Sequence, residues 1–397
     1  MKAVIVGGGI GGITTALSLK RRGIPFELME RAPELKEIGA GIQLSANCVR
    51  ILERLGLGEG LKAIGVYPLA HEFRSWASGE RILRTPLGET AEAAFGAPYY
   101  HAHRAELLDL LVEALGPEGI HLGHEAVSVG ETAGVVSANS HRGLTVKGDV
   151  LIGADGIHSF VRRTLFGPDS PKDSGNIAWR GTLPSERLAS LNLERISGVW
   201  FGPARSFVHY FISAGRTFNW IGIGRSASYS QESWTAQGKV EDALAEFAGW
   251  HPQVRAIIQA TDRLLKMSLF DREALTEWQR GRMVLLGDAC HAMLPFHAQG
   301  AAQSIEDAYV LAGCLERLAR DPVAALAAYV RLRKERAEWV QQYSREAEVM
   351  FQLDDPAAVE RRDRRLRENQ SRYPNGFPPA QLKLYGYDVD VALKDVA

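Results

Sequence analysis

The sequence predicts an α/β protein. A Rossmann-like dinucleotide-binding domain is interrupted by an inserted antiparallel sheet and followed by a C-terminal helical segment. Three observations carry this expectation. An apolar run at residues 3–6 leads straight into Gly7-Gly8-Gly9-Ile10-Gly11-Gly12. A second run at residues 283–286 ends on Gly287, with Asp288 directly after it. Between them, residues 176–225 hold β-branched and aromatic runs spaced as an antiparallel sheet.

Residues 2–6 read as a strand and residues 14–22 as a helix. Gly7, Gly9 and Gly12 between them fit the G-x-G-x-x-G pattern of dinucleotide-binding turns. Their tasks there are the tight turn, close approach of backbone to a pyrophosphate, and packing of helix on strand. Residues 25–29 form the next strand. Glu30 ends it, about twenty residues past the glycines, where a carboxylate takes the adenosine ribose hydroxyls. In Ile38-Gly39-Ala40-Gly41-Ile42-Gln43 the glycines admit backbone close to a flat or charged group. Asn47 is placed to cap a helix over residues 48–55. Residues 71–85 alternate and turn at Ser78-Gly79, as a hairpin does.

Arg104 opens an amphipathic helix over residues 105–114, opposing the helix dipole, a placement that suits a nearby anion or ring. Residues 127–146 alternate weakly, as a second hairpin. Residues 150–152 are a buried strand ending in Gly153-Ala154-Asp155-Gly156, so an Asp follows a second strand end. Strands are then expected at 177–183, 199–201, 207–212 and 218–223, helices at 240–250 and 254–259, and a strand at 264–270 leading back to residue 281. In residues 281–308, Asp288 sits at a strand's carboxyl end, where open α/β sheets bind ligands. Such a carboxylate accepts hydrogen bonds from a polyol. Pro295 stiffens the loop, and Gln299-Gly300-Ala301-Ala302 opens a helix whose free N–H groups suit an anionic group. A long charged helix is expected from 323 to about 350. The arginine-rich helix face at 360–372 reads as solvated and balanced by neighbouring acids. The parts thus divide into residues 1–70, 98–172 and 264–320 as one discontinuous nucleotide-binding domain, 71–97 and 173–263 as a second domain, and 321–397 as C-terminal helices and tail.

Composition limits the function classes. With 46 basic and 47 acidic side chains the net charge is −1, which argues against bulk attraction to nucleic acid or an anionic membrane. No apolar stretch is long enough to span a bilayer, and the N-terminal run lacks the layout of a signal peptide. The three cysteines, Cys48, Cys290 and Cys314, have no metal-ligand spacing, and their odd number suits a reducing cytoplasm. No metal site is expected.

Taken together, Gly7-x-Gly9-x-x-Gly12 with Glu30, then Ala154-Asp155-Gly156, then Gly287-Asp288-Ala289 resemble the three-motif signature of the single-component FAD-dependent aromatic hydroxylases, which have the p-hydroxybenzoate hydroxylase fold. Gly39-Ala40-Gly41-Ile42 and the tail Leu384-Tyr385-Gly386-Tyr387-Asp388 make the chain most similar to the salicylate, 3-hydroxybenzoate and 6-hydroxynicotinate hydroxylases. The resemblance implies FAD as cofactor and NADH or NADPH as a transient co-substrate. It assigns the FAD pyrophosphate to Gly7, Gly9 and Gly12, and the adenosine ribose to Glu30 beside Arg31. It adds Gly41 and Gln43 as further cofactor contacts. Arg104 lies near ribityl and pyrophosphate, Asp155 and Gly156 serve FAD and NAD(P)H, and Asp288 holds the ribityl hydroxyls. Pro295 lies beside the flavin ring, and Gly300 and Ala301 offer N–H groups to its pyrimidine edge.

The chemistry implied is hydroxylation of an electron-rich aromatic or heteroaromatic ring, such as a phenolic acid, by O₂ through a flavin C4a-hydroperoxide, in a cytoplasmic monomer or homodimer. Tyr210 and His209 are the candidates for catalytic assistance on the inserted sheet. Neighbours on a strand point to opposite faces, so one of the two lines the pocket, and the resemblance favours Tyr210. His297, in the loop after Pro295, is a further pocket candidate, and Arg180 a partner for a substrate carboxylate. Two departures stand out: Ser206 replaces the histidine found four residues before the tyrosine in those relatives, and Ala292 replaces a proline common after the third motif. The alternatives are oxygenation of a non-benzoate ring (a quinolone, a heterocycle or a polyketide phenol) and an FAD-binding protein without monooxygenase activity. A flavin halogenase is disfavoured, because its Trp-x-Trp-x-Ile-Pro element is absent.

Overall fold

The computed structural model describes residues 1–36, 40–225, 236–373 and 376–396. Ile38 and Gly39, and Pro374 and Asn375, lie outside the described residues. The chain begins with β1 (Ala3–Val6), α1 (Ile10–Arg21) and β2 (Phe26–Glu30). α1 starts earlier than the pattern predicts. Its first turn contains Gly11 and Gly12, and a Cβ on Gly12 would stand 1.9 Å from the carbonyl oxygen of Gly7. The absent side chain is what lets the helix close directly onto the strand end.

β3 (Gly41–Leu44), α2 (Ala46–Arg54) and α3 (Gly58–Ile64) follow. Ser45, rather than Asn47, occupies the cap position of α2. Asn47 lies inside the first turn, buried, and its amide donates to Glu306 at 2.6 Å, a distant partner that outcompetes a local cap. β4 (Ala70–Ser75) and β5 (Arg81–Pro86) form the hairpin expected over 71–85. After α4 (Gly88–Phe95), β6 (Tyr100–His103), α5 (Arg104–Leu115) and β7 (Ile120–Leu122), the chain makes a three-stranded meander: β8 (Ala126–Thr132), β9 (Val135–Ser140) and β10 (Thr145–Gly148). A two-stranded hairpin is the expectation there. The extra turn forms because the Ser140 hydroxyl accepts from the Leu144 and Arg142 N–H groups.

β11 (Val150–Gly153) and α6 (Phe160–Phe166) lead into the long β12 (Lys172–Pro184). Next come β13 (Ser197–Gly202), β14 (Arg205–Ile212), β15 (Thr217–Arg225), β16 (Gln237–Gly238), α7 (Val240–Glu246), α8 (Pro252–Gln259) and β17 (Leu264–Asp271). The chain then returns through β18 (Gln279–Arg280), β19 (Met283–Leu285), α9 (Asp288–His291) and α10 (Gly300–Arg317). It ends in α11 (Pro322–Phe351), α12 (Pro356–Arg372), α13 (Pro379–Tyr385) and α14 (Val389–Leu393).

Among the described residues, a six-stranded sheet has the order β18-β19-β11-β1-β2-β7. Its four neighbouring pairs from β19 to β7 are parallel, so β1 and β19, from opposite ends of the sequence, flank β11 in one layer. Their tips carry Gly7, Asp155 and Asp288 to one edge. An eight-stranded sheet has the order β16-β17-β12-β15-β14-β13-β4-β5. Two features differ from expectation. β17, grouped by its sequence position with the nucleotide-binding part, pairs with β12 in this second sheet. The sheet is also not wholly antiparallel, because β13 runs parallel to β4. β4 arrives from a distant part of the chain, so no hairpin constrains its direction.

One face of the second sheet packs Trp179, Phe207, Phe218 and Trp220 against α7 and α8 through Phe247, Val254 and Ile257. The opposite face looks toward the tips of the first sheet. α10 fills the interior beneath those tips, with Ile305, Ala308, Leu311 and Ala312 all fully buried. The arginine-rich α12 is only partly the solvated face expected. Arg362 is buried, with its guanidinium 4.3 Å from the centre of the Phe201 ring.

Candidate active site

The glycine turn shows its three tasks in space. Gly7 has φ +109°, and a Cβ there would lie 2.3 Å from the Ala154 carbonyl oxygen. Gly12 closes on Gly7 as described. A Cβ on Gly9 would meet nothing within 4 Å, so this residue faces an opening at the start of α1. Glu30 sits beside that opening. Its carboxylate accepts from the N–H groups of Gly8 at 2.5 Å and Ala32 at 2.8 Å.

Two cavities of about 860 and 880 Å³ meet at Gly9, Arg104, Ala154, Gly156 and Arg180. The first holds Gly7, Glu30 and Arg31; the second holds Gly41, Gln43, Asp288, Pro295, Gly300 and Ala301. Together they make an elongated groove, polar at the Glu30 end and increasingly apolar toward Pro295. This shape, the uncovered Gly9 and the helix start at Gly300 fit FAD. Gly300 and Ala301 begin the 18-residue α10, whose first N–H groups have no partner within the helix. Arg104 and Arg180 line the junction, and burial lowers the pKa of both. Neither loses its charge at neutral pH, so the junction carries a positive field suited to a pyrophosphate or a carboxylate.

Asp288 stands just past the carboxyl end of β19, as expected, where it is the first residue of the one-turn α9 and is exposed to the groove. Asp155 also lines the groove, and its carboxylate is engaged by the chain itself. Its carboxylate accepts from the Ser159 hydroxyl and from the Val161 N–H at 3.1 Å, and burial raises its pKa. It therefore anchors the start of α6, while Gly156 (φ +77°) lines the groove with nothing in the way of a Cβ.

The floor of the wider cavity is the second sheet, and its register orders the side chains. His71 pairs with Ser197, and Tyr210 with Asn219. Because Gly198 faces His209 across β13 and β14, Ser197 lies next to Tyr210, and the four make one polar row. The adjacent row is Phe73, Val199, Val208 and Ile221, with Arg180 at its end. Tyr210 therefore lines the cavity, as the resemblance implies. Burial pushes its phenol pKa well up, with Arg180 and the Gln43 amide opposing, so the hydroxyl stays protonated and serves as a donor. His209 lies on the other face: its ring stacks on Phe218 with centroids 5.4 Å apart, and burial lowers its pKa to about 3. The strand's alternation thus removes His209 from the candidate site.

His297, in the 3₁₀ turn Pro295–His297, lines the cavity from the opposite wall. Its ring stacks on Tyr343 at 3.9 Å, and burial, against a hydrogen bond to the Tyr343 backbone, brings its pKa to about 4. It is a neutral imidazole at pH 7. Gln43 lines the wider cavity beside Tyr99, and its amide oxygen accepts from the Tyr99 hydroxyl at 2.7 Å.

Two sets of residues are missed by sequence reasoning. His71 lines the cavity but reads in the sequence as one member of an alternating hairpin. Behind α9 and α10 lies a buried ion network. Arg333 Nε donates to Asp307 at 2.7 Å, Arg336 Nε to Glu306 at 2.7 Å, and Asp307 also accepts from Gly287 N at 3.1 Å and faces His291 Nε2 at 2.5 Å. Asn47 and Gln299 join it through Glu306 and Ser45. It fixes the turn carrying Asp288 and the loop before Gly300. Glu306-Asp307 with Arg333 and Arg336 three apart on the facing helix is the only signal the sequence offers for it.

Residues 1–344 match the FAD binding domain family. The chain is 38% identical over 370 residues to a 3-amino-4-hydroxybenzoate 2-monooxygenase of Streptomyces cremeus, covering 93% of this chain and 92% of that one. It is 36% identical over 360 residues to a 6-hydroxynicotinate 3-monooxygenase of Pseudomonas fluorescens, covering 90% and 93%. In structure it is similar to Klebsiella pneumoniae HpxO complexed with FAD and uric acid, with TM-score 0.85, 29% identity and 95% of each chain covered. It is also similar to a salicylate hydroxylase substrate complex, with TM-score 0.84, 26% identity and 100% and 98% covered. With glycine turn, paired cavities and relatives in agreement, the chain belongs to the FAD-dependent aromatic hydroxylases of the p-hydroxybenzoate hydroxylase fold.

Proposed function

We propose that this protein is a single-component flavoprotein monooxygenase that uses NADH or NADPH and O₂ to hydroxylate a small, electron-rich hydroxyaromatic or heteroaromatic acid. The observation that carries the reading is the groove itself. It runs unbroken from Glu30 to a half-apolar chamber with Arg180, Tyr210 and His297 on its walls. The relatives' hydroxybenzoate and hydroxynicotinate substrates support an aromatic acid. The three cysteines, all free and buried, support a reducing cytoplasmic setting. We place the working protein as a monomer or homodimer.

Bound FAD supplies the reducing and oxygen-transfer chemistry. The chain's own residues bind, orient and shield. Gly7, Gly9 and Gly12 admit the pyrophosphate, Glu30 takes the adenosine ribose with Arg31 beside it, and Asp288 takes the ribityl hydroxyls. The N–H groups of Gly300 and Ala301 face the anionic edge of the ring. Pro295 packs beside it, and Leu294, Phe296, Val199, Val208 and Ile221 keep water away from the reacting centre. Arg180 attracts the substrate carboxylate, Tyr210 donates a hydrogen bond to a substrate oxygen, and neutral His297 accepts a hydrogen bond from a substrate hydroxyl, drawing its O–H toward the imidazole and making the ring more electron-rich.

A panel of hydroxylated and amino-substituted aromatic acids and heterocycles tests the reading, scored by stimulated NAD(P)H oxidation together with product mass. Stimulation with a product one oxygen heavier is expected. A bound flavin that no ring stimulates would instead favour an FAD-binding protein without this activity.

A further inference from the structure

We infer that the aromatic acid enters the chamber through a second mouth, between α12 and the end of α11, and that Arg361 and Arg365 draw it in by its negative charge. This rests on the monooxygenase reading above and adds the route by which that site is filled.

The wider cavity does not end at the reacting chamber. The register of the sheet lays one row of side chains along its floor: Arg180, Ile221, Val208, Val199, Phe73 and Leu83, one from each successive strand. Five interstrand spacings make this row about 24 Å long. At its far end α12 packs on β5, where the Arg84 N–H donates to the Gln370 side chain at 3.3 Å. Ala358, Arg361, Arg365 and Asn369 of α12 line the cavity at helical spacing. Glu346, Val349, Arg361, Arg365 and Gln370 line it and are exposed, so it opens to solvent there. The other open end is the groove from Glu30 to Gly300, which FAD held as proposed fills. A ring that must reach Tyr210 and His297 with the cofactor in place is left with the α12 mouth.

The charges at this mouth suit an anion. α12 carries six arginines against three acids, in a chain whose net charge is −1. Outside the cavity, Arg364 pairs with Glu360 at 3.6 Å and Arg367 with Glu80 at 2.8 Å. Arg362 lines the cavity but is held by Asp363 at 2.8 Å and lies over the Phe201 ring. Arg361 and Arg365 make no hydrogen bond or ion pair with a described residue, although they stand one turn apart on one helix face, where like charges repel. Glu346, the acid lining this end, accepts from the Gln342 amide at 3.3 Å and offsets part of the charge. Arginine stays protonated, so the pair is a permanent positive field, and a cleft with low-dielectric walls focuses it.

The mouth lies close to the chemistry. Burial raises the Tyr343 phenol pKa, and the charge of Arg365 opposes that rise. The Tyr343 ring in turn stacks on His297 at 3.9 Å. Inward from Leu83 and Phe73 the floor is apolar as far as Arg180, which gives the carboxylate its next cationic partner on that row.

The test follows association of 4-hydroxybenzoate and 6-hydroxynicotinate with the holoenzyme by stopped-flow flavin absorbance, beside their uncharged amides. In Arg361→Gln/Arg365→Gln the acids are expected to associate roughly tenfold more slowly at low salt, with kcat within about twofold and the amides unaffected. Wild-type rates for the acids fall steeply with added salt, and those of the variant fall little. Arg364→Gln/Arg367→Gln removes the same two charges from outside the cavity and keeps wild-type rates. Wild-type association in Arg361→Gln/Arg365→Gln, equal slowing of acids and amides, or an equal loss in Arg364→Gln/Arg367→Gln each overturns the inference and leaves the proposed function standing. Failure of every ring acid to perturb the flavin or stimulate turnover overturns both.

Discussion

Arg333 Nε lies 2.7 Å from Asp307 Oδ1, at a place where neither side chain touches solvent. Removing one member of such a pair leaves an uncompensated charge. Asp307→Ala is therefore expected to destabilise the fold by about 3–5 kcal/mol. Urea unfolding of the holoenzyme checks this, and a shift in midpoint below a few tenths molar would contradict it. The same variant also loses flavin affinity, because Asp307 holds the Gly287 N–H that precedes Asp288.

Acid is expected to unfold the protein in two stages. Burial holds His71 and His297 near 4 and His209 near 3, all below the ordinary histidine value of about 6.5. The unfolded chain binds these protons first, so the stability the three groups contribute is complete above about pH 6.5 and is lost as pH falls toward 3. For Asp307, burial alone would raise the pKa; His291 and Arg333 outweigh it and bring the group to about 2. Its contribution is present above about pH 4 and lost below it. Thermal melts from pH 8 to pH 3 should show Tm falling from about 6.5 downward; a flat profile to pH 4 would contradict the buried neutral histidines.

The glycines separate fold from cofactor. Gly12→Ala places a Cβ 1.9 Å from a carbonyl oxygen and is expected to cost about 1–3 kcal/mol or more. Gly9→Ala meets no atom of the protein, so the chain keeps its Tm and loses flavin affinity. Paired melts and flavin titrations distinguish the two; equal effects on Tm would be inconsistent with the geometry.

Tyr210 and His209 provide a built-in control. Tyr210→Phe removes a donor from the chamber and is expected to lower kcat by about a hundredfold with FAD still bound. His209→Asn touches only the far face and is expected to leave kcat within a few fold while lowering Tm. The reverse ranking would mean that the strand presents its other face to the substrate.

Asp288→Ala is expected to weaken FAD at least about tenfold, or 1.4 kcal/mol. Flavin content of the purified variant measures it, and full retention would refute the assigned role.

What could be read in the sequence was whatever lies close together along the chain. Gly7, Gly9, Gly12 and Glu30 sit within one β-α-β unit, so spacing alone carries their meaning. Asp288 and Gly300 likewise share one strand–turn–helix segment. The polar row is different. His71, Ser197 and Tyr210 become neighbours only once β4 docks beside β13, a parallel pairing that no turn announces. The choice between Tyr210 and His209 needed the sheet's orientation, which alternation states only as an either–or. Glu306 and Arg336 read as ordinary helix charges, because burial depends on which helix covers them. Asp155 illustrates the opposite limit: its motif is plain in the sequence, yet its carboxylate serves α6.

Turnover under ¹⁸O₂ with a hydroxyaromatic acid and NAD(P)H tests the central claim most directly, with the product's mass as readout. One heavy oxygen atom per product molecule is predicted. A product whose new oxygen comes from water, or NAD(P)H consumed with the ring always recovered unchanged, would contradict it.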